Sequence, residues 1–529
     1  MAKAAFPWRA ILIGSLLSVI VALYSAYAGL KMGGVYWPMV TTAVVSIAIL
    51  RAMGGKDENE ANVMQTTAST GGLLAAGIIF TIPALFMLGL PVSAWDIMLV
   101  GVTGGLLALL FVYPLREEMI VVEKLPYADG AAAAAIIRAG DKGGRQSNVM
   151  LAAFGIGAAF AIARDILLLF PAYFNLETLK IAAGKFFSFG SQISLIPLAG
   201  GYLIGARFTL AWFLGAIATY LVLVPYALST GIFPDKLSVL SSISKPLGAG
   251  IVMGAAVAYF LSSGFPILLK TAGYYRKTRL GKKGLAAMLL LAVVMAYAFD
   301  LSLPMAGLAV AGAFIMGFVG AKITGEMNVD PMEIFALVLL LAAKFLFGFG
   351  VLHLVLLAAV VCIAAGIAGD AMQDFKTGHI LGTNPMHQLA GEAAGVITAS
   401  LVMGVVMLSF AHVGFGGVDF PAPQAVAVKE IAEASGVPLM LMTGAAAGLA
   451  LTLVLEKIGL GAAPVAFGIG LYVPIELSVP LFIGGMARHF IDKAKKTEHW
   501  RLVAGGVIAG EGLVGAIIVL AAAAKFFGL

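Results

Sequence analysis

The sequence has very little charge. Only 11% of its 529 residues are Asp, Glu, Lys or Arg, whereas 61% are hydrophobic, and the mean hydropathy is +1.02. A soluble domain has about 25% charged residues, so the composition excludes a soluble enzyme, a disordered chain and a secreted disulfide-stabilised domain. It predicts an all-α polytopic membrane protein, and the length allows about 16 transmembrane helices, some of them broken or re-entrant.

Other absences restrict the chemistry. The single cysteine, Cys362, cannot form an internal disulfide. The sequence contains no Gly-x-x-x-x-Gly-Lys-Ser/Thr phosphate loop, so ATP is not the evident energy source, and no Cys-x-x-Cys pair, so we expect no cofactor. No basic face with interleaved aromatics points to nucleic acid. The expected partners are the lipid bilayer and a small-molecule substrate, and a homodimer is left open.

Three pairs of similar motifs occur in the same order in two parts of the chain. Two related halves with a site between them are common in transporters. We therefore predict pseudo-symmetric halves, residues 1–283 and 284–529, and leave open whether they are parallel or inverted. The pairs are Gly29–Gly34 with Gly320–Gly325, Leu125–Ala128 with Phe420–Pro423, and Gly201–Ala216 with Gly470–Gly485.

Basic loops indicate the orientation in the membrane. Lys270–Lys283 and Arg116–Arg145 share a side with the N-terminus, which we place in the cytoplasm of a cell with an inner (plasma) membrane. Arg488–Arg501 falls on the wrong side of this count. We attribute the conflict to Ala463–Met486, which we expect not to cross fully because it contains two helix-breaking prolines, Pro474 and Pro480.

Polar residues at the start of one apolar span predict a break there. Asn62–Gly72 is rich in Thr, Ser and Gly, and backbone in lipid needs internal partners. We interpret it as a half-helix lining a substrate cavity, whose N–H groups attract an anion. The alternative is a Ser/Thr-rich helix–helix interface.

Two further segments are candidates for the site. Ala131–Arg138 is too short to span and predicts a half-depth helix with Asp129 as a possible N-cap, or else a cytoplasmic surface helix. Asp370–His379 places four ionisable residues at the end of an apolar span. The alternative for that segment is a solvated loop.

Ionisable residues inside apolar spans are functional candidates because burying them costs several kcal/mol. Glu476, next to Pro474, is the most suggestive carboxylate for proton binding, with an ion pair as the alternative. For the others we favour structural roles. They are Arg164 and Asp165, which can neutralise each other, and the two expected helix caps Glu392 and Glu511. Lys344 is interpreted either as a fixed positive charge or as a snorkelling side chain.

Several long motifs resemble the oligopeptide transporter (OPT) family, in particular its prokaryotic branch, which is related to the yellow-stripe-like metal–chelate transporters. The resemblance covers nearly the whole chain. Its motifs are Tyr24–Gly33, Asn62–Leu85, Pro114–Gly140, Gly369–Gly382, Pro421–Ala425, Gly470–Gly485 and Ala509–Leu513. The chain departs from the family at Ala128–Gly130, where relatives carry Pro-Glu-Gly, and at Asn59–Asn62, which lacks a paired Asn-Asn.

The resemblance implies a secondary transporter that moves small peptides with protons, and not an enzyme. The alternative cargo is a metal–siderophore or metal–nicotianamine-type chelate. A rival from another class is an intramembrane lipid-modifying enzyme that uses Asp370 and Asp374, and a passive channel is a further rival.

The predicted site residues fall into two groups, with no catalytic or metal-ligating residue among them. For substrate binding they are Asn62, Gln65, Thr66, Ser69, Tyr127, Gln373, Asp374, Lys376, Gln424 and Glu476. For proton coupling they are Glu476, Asp129 and Asp370.

Overall fold

The computed structural model describes residues 6–35, 38–139, 143–175, 189–265, 282–328, 330, 332–433, 439–493 and 497–527. The chain is 83% helical, and its strands among these residues form one short antiparallel pair. The prediction of an all-α polytopic membrane protein is confirmed. Most of the predicted basic loop Lys270–Lys283 lies outside the described residues.

The first half of the chain contains twelve α-helices and both strands within the described residues. Several helices continue into π-helical turns, which are residues 117–122, 162–166, 218–223, 240–244 and 260–264. The elements are α1 (Trp8–Met32), α2 (Met39–Ala52), α3 (Glu58–Ile79), α4 (Pro83–Met87), α5 (Ala94–Arg116), α6 (Ala128–Ala139), α7 (Gly143–Ala161), β1 (Tyr173–Asn175), β2 (Gly190–Gln192), α8 (Leu195–Ile204), α9 (Ala206–Ile217), α10 (Val224–Ser229), α11 (Lys236–Val239) and α12 (Lys245–Tyr259).

The second half repeats much of this order. Its described elements are α13 (Lys282–Ala298), α14 (Leu303–Met327), α15 (Met332–Phe347), α16 (Val351–Leu381), α17 (Pro385–Ala411), α18 (Pro423–Glu433), α19 (Leu439–Leu455), α20 (Ala463–Tyr472), α21 (Ile475–Lys493) and α22 (Thr497–Phe527). A 3₁₀ turn, Glu456–Ile458, follows α19.

Eleven helical segments of the described chain are long and apolar enough to cross a membrane, and four shorter apolar helices accompany them. The eleven are Trp8–Met32, Glu58–Met87, Ala94–Val122, Asn148–Ile166, Ala206–Ser229, Lys236–Ser262, Leu303–Glu326, Val351–Leu381, Pro385–Ala411, Leu439–Ile458 and Trp500–Ala522. The shorter helices include α8 and α20, which belong to broken helices.

Two short helices, α6 and α18, begin with the same turn. The backbone N–H of Tyr127 donates to the carbonyl of Gly325, and that of Ala422 donates to the carbonyl of Leu30, each at 3.1 Å. Tyr127 and Ala422 both have positive φ angles, 43° and 42°. Ala422 follows Tyr127 by the same number of residues as Gly325 follows Leu30. The two turns are therefore equivalent features of two repeats.

The sequence comparison placed one of these repeats a helical turn out of register. It paired Gly29 with Gly320, whereas the hydrogen bonds make Leu30 equivalent to Gly325. The same shift makes Gly33 equivalent to Asn328, and both end their helices in the left-handed conformation, with φ angles of 69° and 57°. The two Gly-rich stretches therefore resemble each other because each one ends a helix.

Two broken helices cross at the third repeated motif, Gly201–Ala216 with Gly470–Gly485. A methyl group on Gly201 would overlap the carbonyl oxygen of Leu481, and one on Gly470 would overlap that of Trp212. Gly215 and Gly484 approach the carbonyls of Phe467 and Leu198 in the same reciprocal way. Here glycine is required by close backbone approach, as in other membrane helix pairs. The α8–α9 pair and the α20–α21 pair are thus related by a local two-fold axis.

The halves are inverted with respect to each other. Equivalent helices α3 and α16 pack together, with Asn62 bonded to Thr383 just beyond the end of α16. At the other end of α3, Gly77 packs against Ile363 in the first half of α16. The two helices therefore run antiparallel, so the axis that relates the repeats lies across the helices.

The predicted break within Asn62–Gly72 is wrong. Helix α3 is continuous from Glu58 to Ile79, and Asp57 caps it. The Thr67 and Thr70 hydroxyls donate to carbonyls one turn back within the helix, so this polar stretch keeps its backbone bonds and uses its side chains. The chain turns later, at residues 80–82 before α4.

The interruption in Ala463–Met486 occurs at one proline only. The chain breaks at Val473 and Pro474, between α20 and α21, whereas Pro480 lies inside α21. In the second turn of a helix, proline removes a single hydrogen bond and the helix can continue. The expected second break is therefore absent from this described segment.

The helix crossing generates a stability prediction. Gly201→Val should lower the free energy of unfolding by about 1–3 kcal/mol or more, because its side chain meets the Leu481 backbone, which cannot move alone. Thermal unfolding of the purified protein in detergent measures the effect. Gly307→Val is the matched control, since that helical glycine has nothing within 4 Å. Equal losses in the two variants would contradict the close-approach argument.

Candidate functional site

Three carboxyl groups meet in the interior where α3, α16 and α17 pack. Asp370 and Asp374 come from α16, and Glu392 comes from α17. One oxygen of each lies within 4.8 Å of the others, and all three residues are 0% exposed. We call these three residues the acidic cluster.

Helix α3 supplies the neutral groups that surround the acidic cluster. Asp374 accepts hydrogen bonds from the amide of Gln65 at 2.6 Å and from the hydroxyl of Ser69 at 2.9 Å. Glu392 accepts one from Thr70 at 2.8 Å. Because residues four apart share a helix face, the stretch that was predicted to break instead presents one polar face toward α16 and α17.

Part of the cluster has no hydrogen-bond partner among the described residues. Both carboxyl oxygens of Asp370 and one oxygen of Glu392 are buried and unpaired. The ion pairs within the described chain do not include any of the three acids. Three negative charges this close and this dry cannot coexist, so added positive charge is needed, most simply as protons.

Other predicted residues extend the same polar layer. Asn62 donates to the Thr383 hydroxyl at 3.0 Å. The Gln388 amide donates to the backbone carbonyl of Asp374 and lies 3.5 Å from the Thr66 hydroxyl. The structure thus brings together six predicted residues, Asn62, Gln65, Thr66, Ser69, Asp370 and Asp374.

A second polar group holds the start of α6. The side chain of Gln373 accepts from the Gly130 N–H at 2.8 Å and donates to Asn328 at 2.7 Å. Lys376 donates to the Leu125 carbonyl at 2.8 Å, and the Tyr127 hydroxyl donates to the Ala321 carbonyl at 3.0 Å. These three predicted substrate ligands, Tyr127, Gln373 and Lys376, bind backbone in this conformation.

Asp129 is not the N-cap of α6. It is the second residue of the helix, in its first turn, where the positive end of the helix dipole still favours a carboxylate. Burial raises the pKa of the Asp129 carboxyl, and a hydrogen bond with the Asn328 side chain opposes that shift. The acid therefore stays a candidate for proton binding near one end of the bundle.

Gln424 and Glu476 lie away from the acidic cluster. Gln424, the position in α18 equivalent to Asp129, donates to the Gly33 carbonyl. Glu476 begins α21, which packs mainly on α8 and α9, and it is 6% exposed close to Tyr220. The structure does not join Glu476 to Gln65 and Gln373 in one site.

Sequence reasoning missed Glu392 and misplaced the capping role of Glu511. Glu392 lies eight residues into α17 and caps nothing there. Glu511 lies in the middle of α22 and accepts the first two N–H groups of another helix, α8, at 2.8 and 3.1 Å. An acid in the interior of an apolar helix was the available signal, and it marks both residues.

Inverted repeats, broken helices at a two-fold axis and unpaired acids in the core together define a polytopic membrane transporter. The model of the OPT oligopeptide transporter family matches residues 5–280 and 281–522. The chain therefore belongs to the OPT family of transporters, which confirms the predicted resemblance.

The names of similar proteins point to different cargoes. A Haemophilus influenzae protein, provisionally named an oligopeptide transporter, is 26% identical over 94% of this chain and 93% of its own. A rice protein, provisionally named metal-nicotianamine transporter YSL12, is 29% identical over 28% of this chain and 23% of its own. A Saccharomyces cerevisiae protein, also provisionally named an oligopeptide transporter, is 25% identical over 39% and 32%.

The hydrogen bonds of the acidic cluster predict unequal effects of two substitutions. Asp374→Ala leaves the buried Gln65 amide without its acceptor, whereas the Ser69 hydroxyl keeps the Thr66 carbonyl, and it should lower the free energy of unfolding by about 1–3 kcal/mol. Asp370→Asn removes a carboxyl that has no partner and should cost less or stabilise the fold. Thermal unfolding in detergent compares the two. A larger loss for Asp370→Asn would contradict the described hydrogen bonding.

Proposed function

We propose that this transporter is a proton-coupled symporter that imports small peptides across the inner (plasma) membrane, with its N-terminus in the cytoplasm. The observation that carries the proposal is the acidic cluster, Asp370, Asp374 and Glu392, which is fully buried and has no cationic side chain paired with it among the described residues.

Proton binding gives the cluster a way to control movement. Unprotonated, its carboxylates repel one another and favour a conformation that lets water reach them. Protonated, they can share hydrogen bonds and remain buried between α3, α16 and α17. A gradient that loads protons from one side therefore biases which conformation is populated.

The inverted repeats supply a route for the movement. The crossing of α8–α9 with α20–α21 brings backbones together at four glycines, Gly201, Gly215, Gly470 and Gly484. Close backbone packing without bulky side chains lets the two halves rearrange as rigid bodies around a central site. We place the solute between the acidic cluster and this crossing, with Glu476 on the crossing side as a group for a substrate amine.

One alternative cargo has specific support, whereas the intramembrane enzyme does not. Chelates of metals with peptide-like ligands also present amines and carboxylates, and relatives carry metal-nicotianamine names. An intramembrane enzyme would need Asp370 and Asp374 together at an interface. They do lie together but are 0% exposed, and the family is one of transporters, which favours transport.

Uptake into proteoliposomes tests the proposal. Labelled trialanine should accumulate when the outside is made acidic and should only equilibrate without a gradient. Asp370→Asn should abolish gradient-driven accumulation while it preserves exchange of internal for external peptide, because only the proton-binding step is lost. Equal accumulation with and without the pH gradient would contradict proton coupling.

Asp235→Asn is the control for charge. That exposed acid caps a short helix and is remote from the acidic cluster, so its variant should accumulate peptide normally. Competition by ferric or nickel chelates separates the two cargo classes. Inhibition by chelates with no uptake of any peptide would replace the peptide proposal with the chelate one.

A further inference from the structure

Outside the acidic cluster, the buried guanidinium of Arg164 forms ion pairs with two carboxylates. The side chain of Arg164 is 1% exposed and lies in the π-helical turn that ends α7. Its Nε and Nη2 donate to the two oxygens of Asp165, each at 2.6 Å. Its Nη1 donates to Glu511 at 2.6 Å and to the Ile193 carbonyl at 2.8 Å.

The two carboxylates are held very differently. Glu511 is 0% exposed and also accepts from the Ser194 hydroxyl and from the first two N–H groups of α8. Asp165 is 23% exposed, and the hydrogen bonds of its carboxyl among the described residues all come from Arg164. Glu511 is therefore fixed in place, whereas Asp165 is the carboxylate that can leave.

Asp165 borders open space. Arg164 and Asp165 line a cavity of about 540 Å³ together with Tyr27, Phe170 and Gly515. This volume exceeds what a water cluster needs and falls within the range of small-molecule sites. The parallel two-bond geometry that Asp165 occupies is the geometry by which arginine recognises any carboxylate.

We propose that the Nε–Nη2 edge of Arg164 is a binding site for the carboxylate of a solute, and that Asp165 occupies it when no solute is bound. A carboxylate entering the cavity exchanges with Asp165 and keeps both hydrogen bonds. Glu511 is a positioning residue, since it holds the third nitrogen of the guanidinium and does not touch the solute.

The site has a direct connection to the broken helices. Because Glu511 binds both Arg164 and the first turn of α8, a change at the guanidinium reaches the helix that crosses α20–α21. Binding of a solute carboxylate to Arg164 would thus alter the Glu511 contacts that hold α8 at the helix crossing. This step rests on the proposed transport function, whereas the carboxylate site itself does not.

The charge balance lowers the cost of releasing Asp165, although it weakens the binding of a solute carboxylate equally. One guanidinium between two carboxylates leaves a net negative charge, so Asp165 is bound less tightly than in an isolated ion pair. π-Helical turns are frequent at functional sites because the extra residue displaces backbone bonds. Asp165 lies in such a turn, so its side chain can move without unwinding α7.

Chemical rescue tests the carboxylate site without any transport. Asp165→Ala should lower the melting temperature of the detergent-purified protein, and acetate at tens of millimolar should recover more than half of that loss. Chloride at the same ionic strength should recover less, since it cannot make two parallel hydrogen bonds. In Arg164→Lys with Asp165→Ala, acetate should recover nothing beyond the chloride effect.

The matched control is Asp235→Ala. Asp235 also accepts two hydrogen bonds, from the N–H and the hydroxyl of Ser238, but it is exposed and no arginine among the described residues pairs with it. Acetate should not rescue that variant. Recovery no greater for Asp165→Ala than for Asp235→Ala, or equal recovery with chloride, would overturn the proposal.

Uptake then links the site to the cargo. Asp165→Asn should lower the KM for trialanine several-fold, because the competing carboxylate is gone, and should leave the KM for trialanine amide unchanged. Equal changes for both peptides would overturn the role in substrate binding. Acetate rescue without any peptide uptake would keep the carboxylate site and reject peptide import, so the two proposals fail separately.

Discussion

Every polar group that this chain carries into the bilayer must find its partner inside the chain. Lipid offers no hydrogen bonds, so an unpaired backbone or charged group costs several kcal/mol there. The two half-helix turns meet this demand by bonding Tyr127 to Gly325 and Ala422 to Leu30. Glutamine and asparagine side chains then complete the first turn of α6. Among the described residues, the acids that keep buried carboxyl oxygens without a hydrogen-bond partner are Asp330, Asp370 and Glu392, beside several neutral amides and hydroxyls.

That constraint explains why the backbone turns and helix contacts are repeated in both halves, whereas the buried acids are not. The half-helix turns and the glycine crossings recur in both repeats. Asp370 and Asp374 do not, because the equivalent positions on α3 are Ala75 and Ile79. The frame is therefore duplicated, whereas the acidic cluster occurs once, and the proposed proton coupling rests on that single cluster.

The sequence was sufficient for the class of fold, since low charge and long apolar runs admit few alternatives. It also located the right polar stretches, Asn62–Gly72 and Asp370–His379, but gave the first one the wrong structure. Thr and Ser at helix-compatible spacing can satisfy either a break or a packed polar face, and only the partner helix decides between them. That partner, α16, lies some three hundred residues further along the chain.

The same limit accounts for Glu392 and Glu511. Each was interpreted by its own helix, as a cap, because local sequence shows only local partners. Glu392 instead faces α3, and Glu511 caps α8 from a distant helix. Conversely, Gln373 and Asp374 are neighbours in sequence but point to different helices, one to α6 and the other to α3. Adjacent residues on one helix therefore have different structural partners, and no pattern in a single sequence shows which residue has which partner.

These divisions suggest how one span can serve both structure and transport. On α16, Gln373 and Lys376 bind the backbone around the α6 turn, while Asp370 and Asp374 face the acidic cluster. A change of charge in the cluster acts on the same rigid helix that holds α6 in place. Under the proposed proton coupling, a small shift of α16 as a packed helix would carry a change in the cluster to the contacts that hold α6.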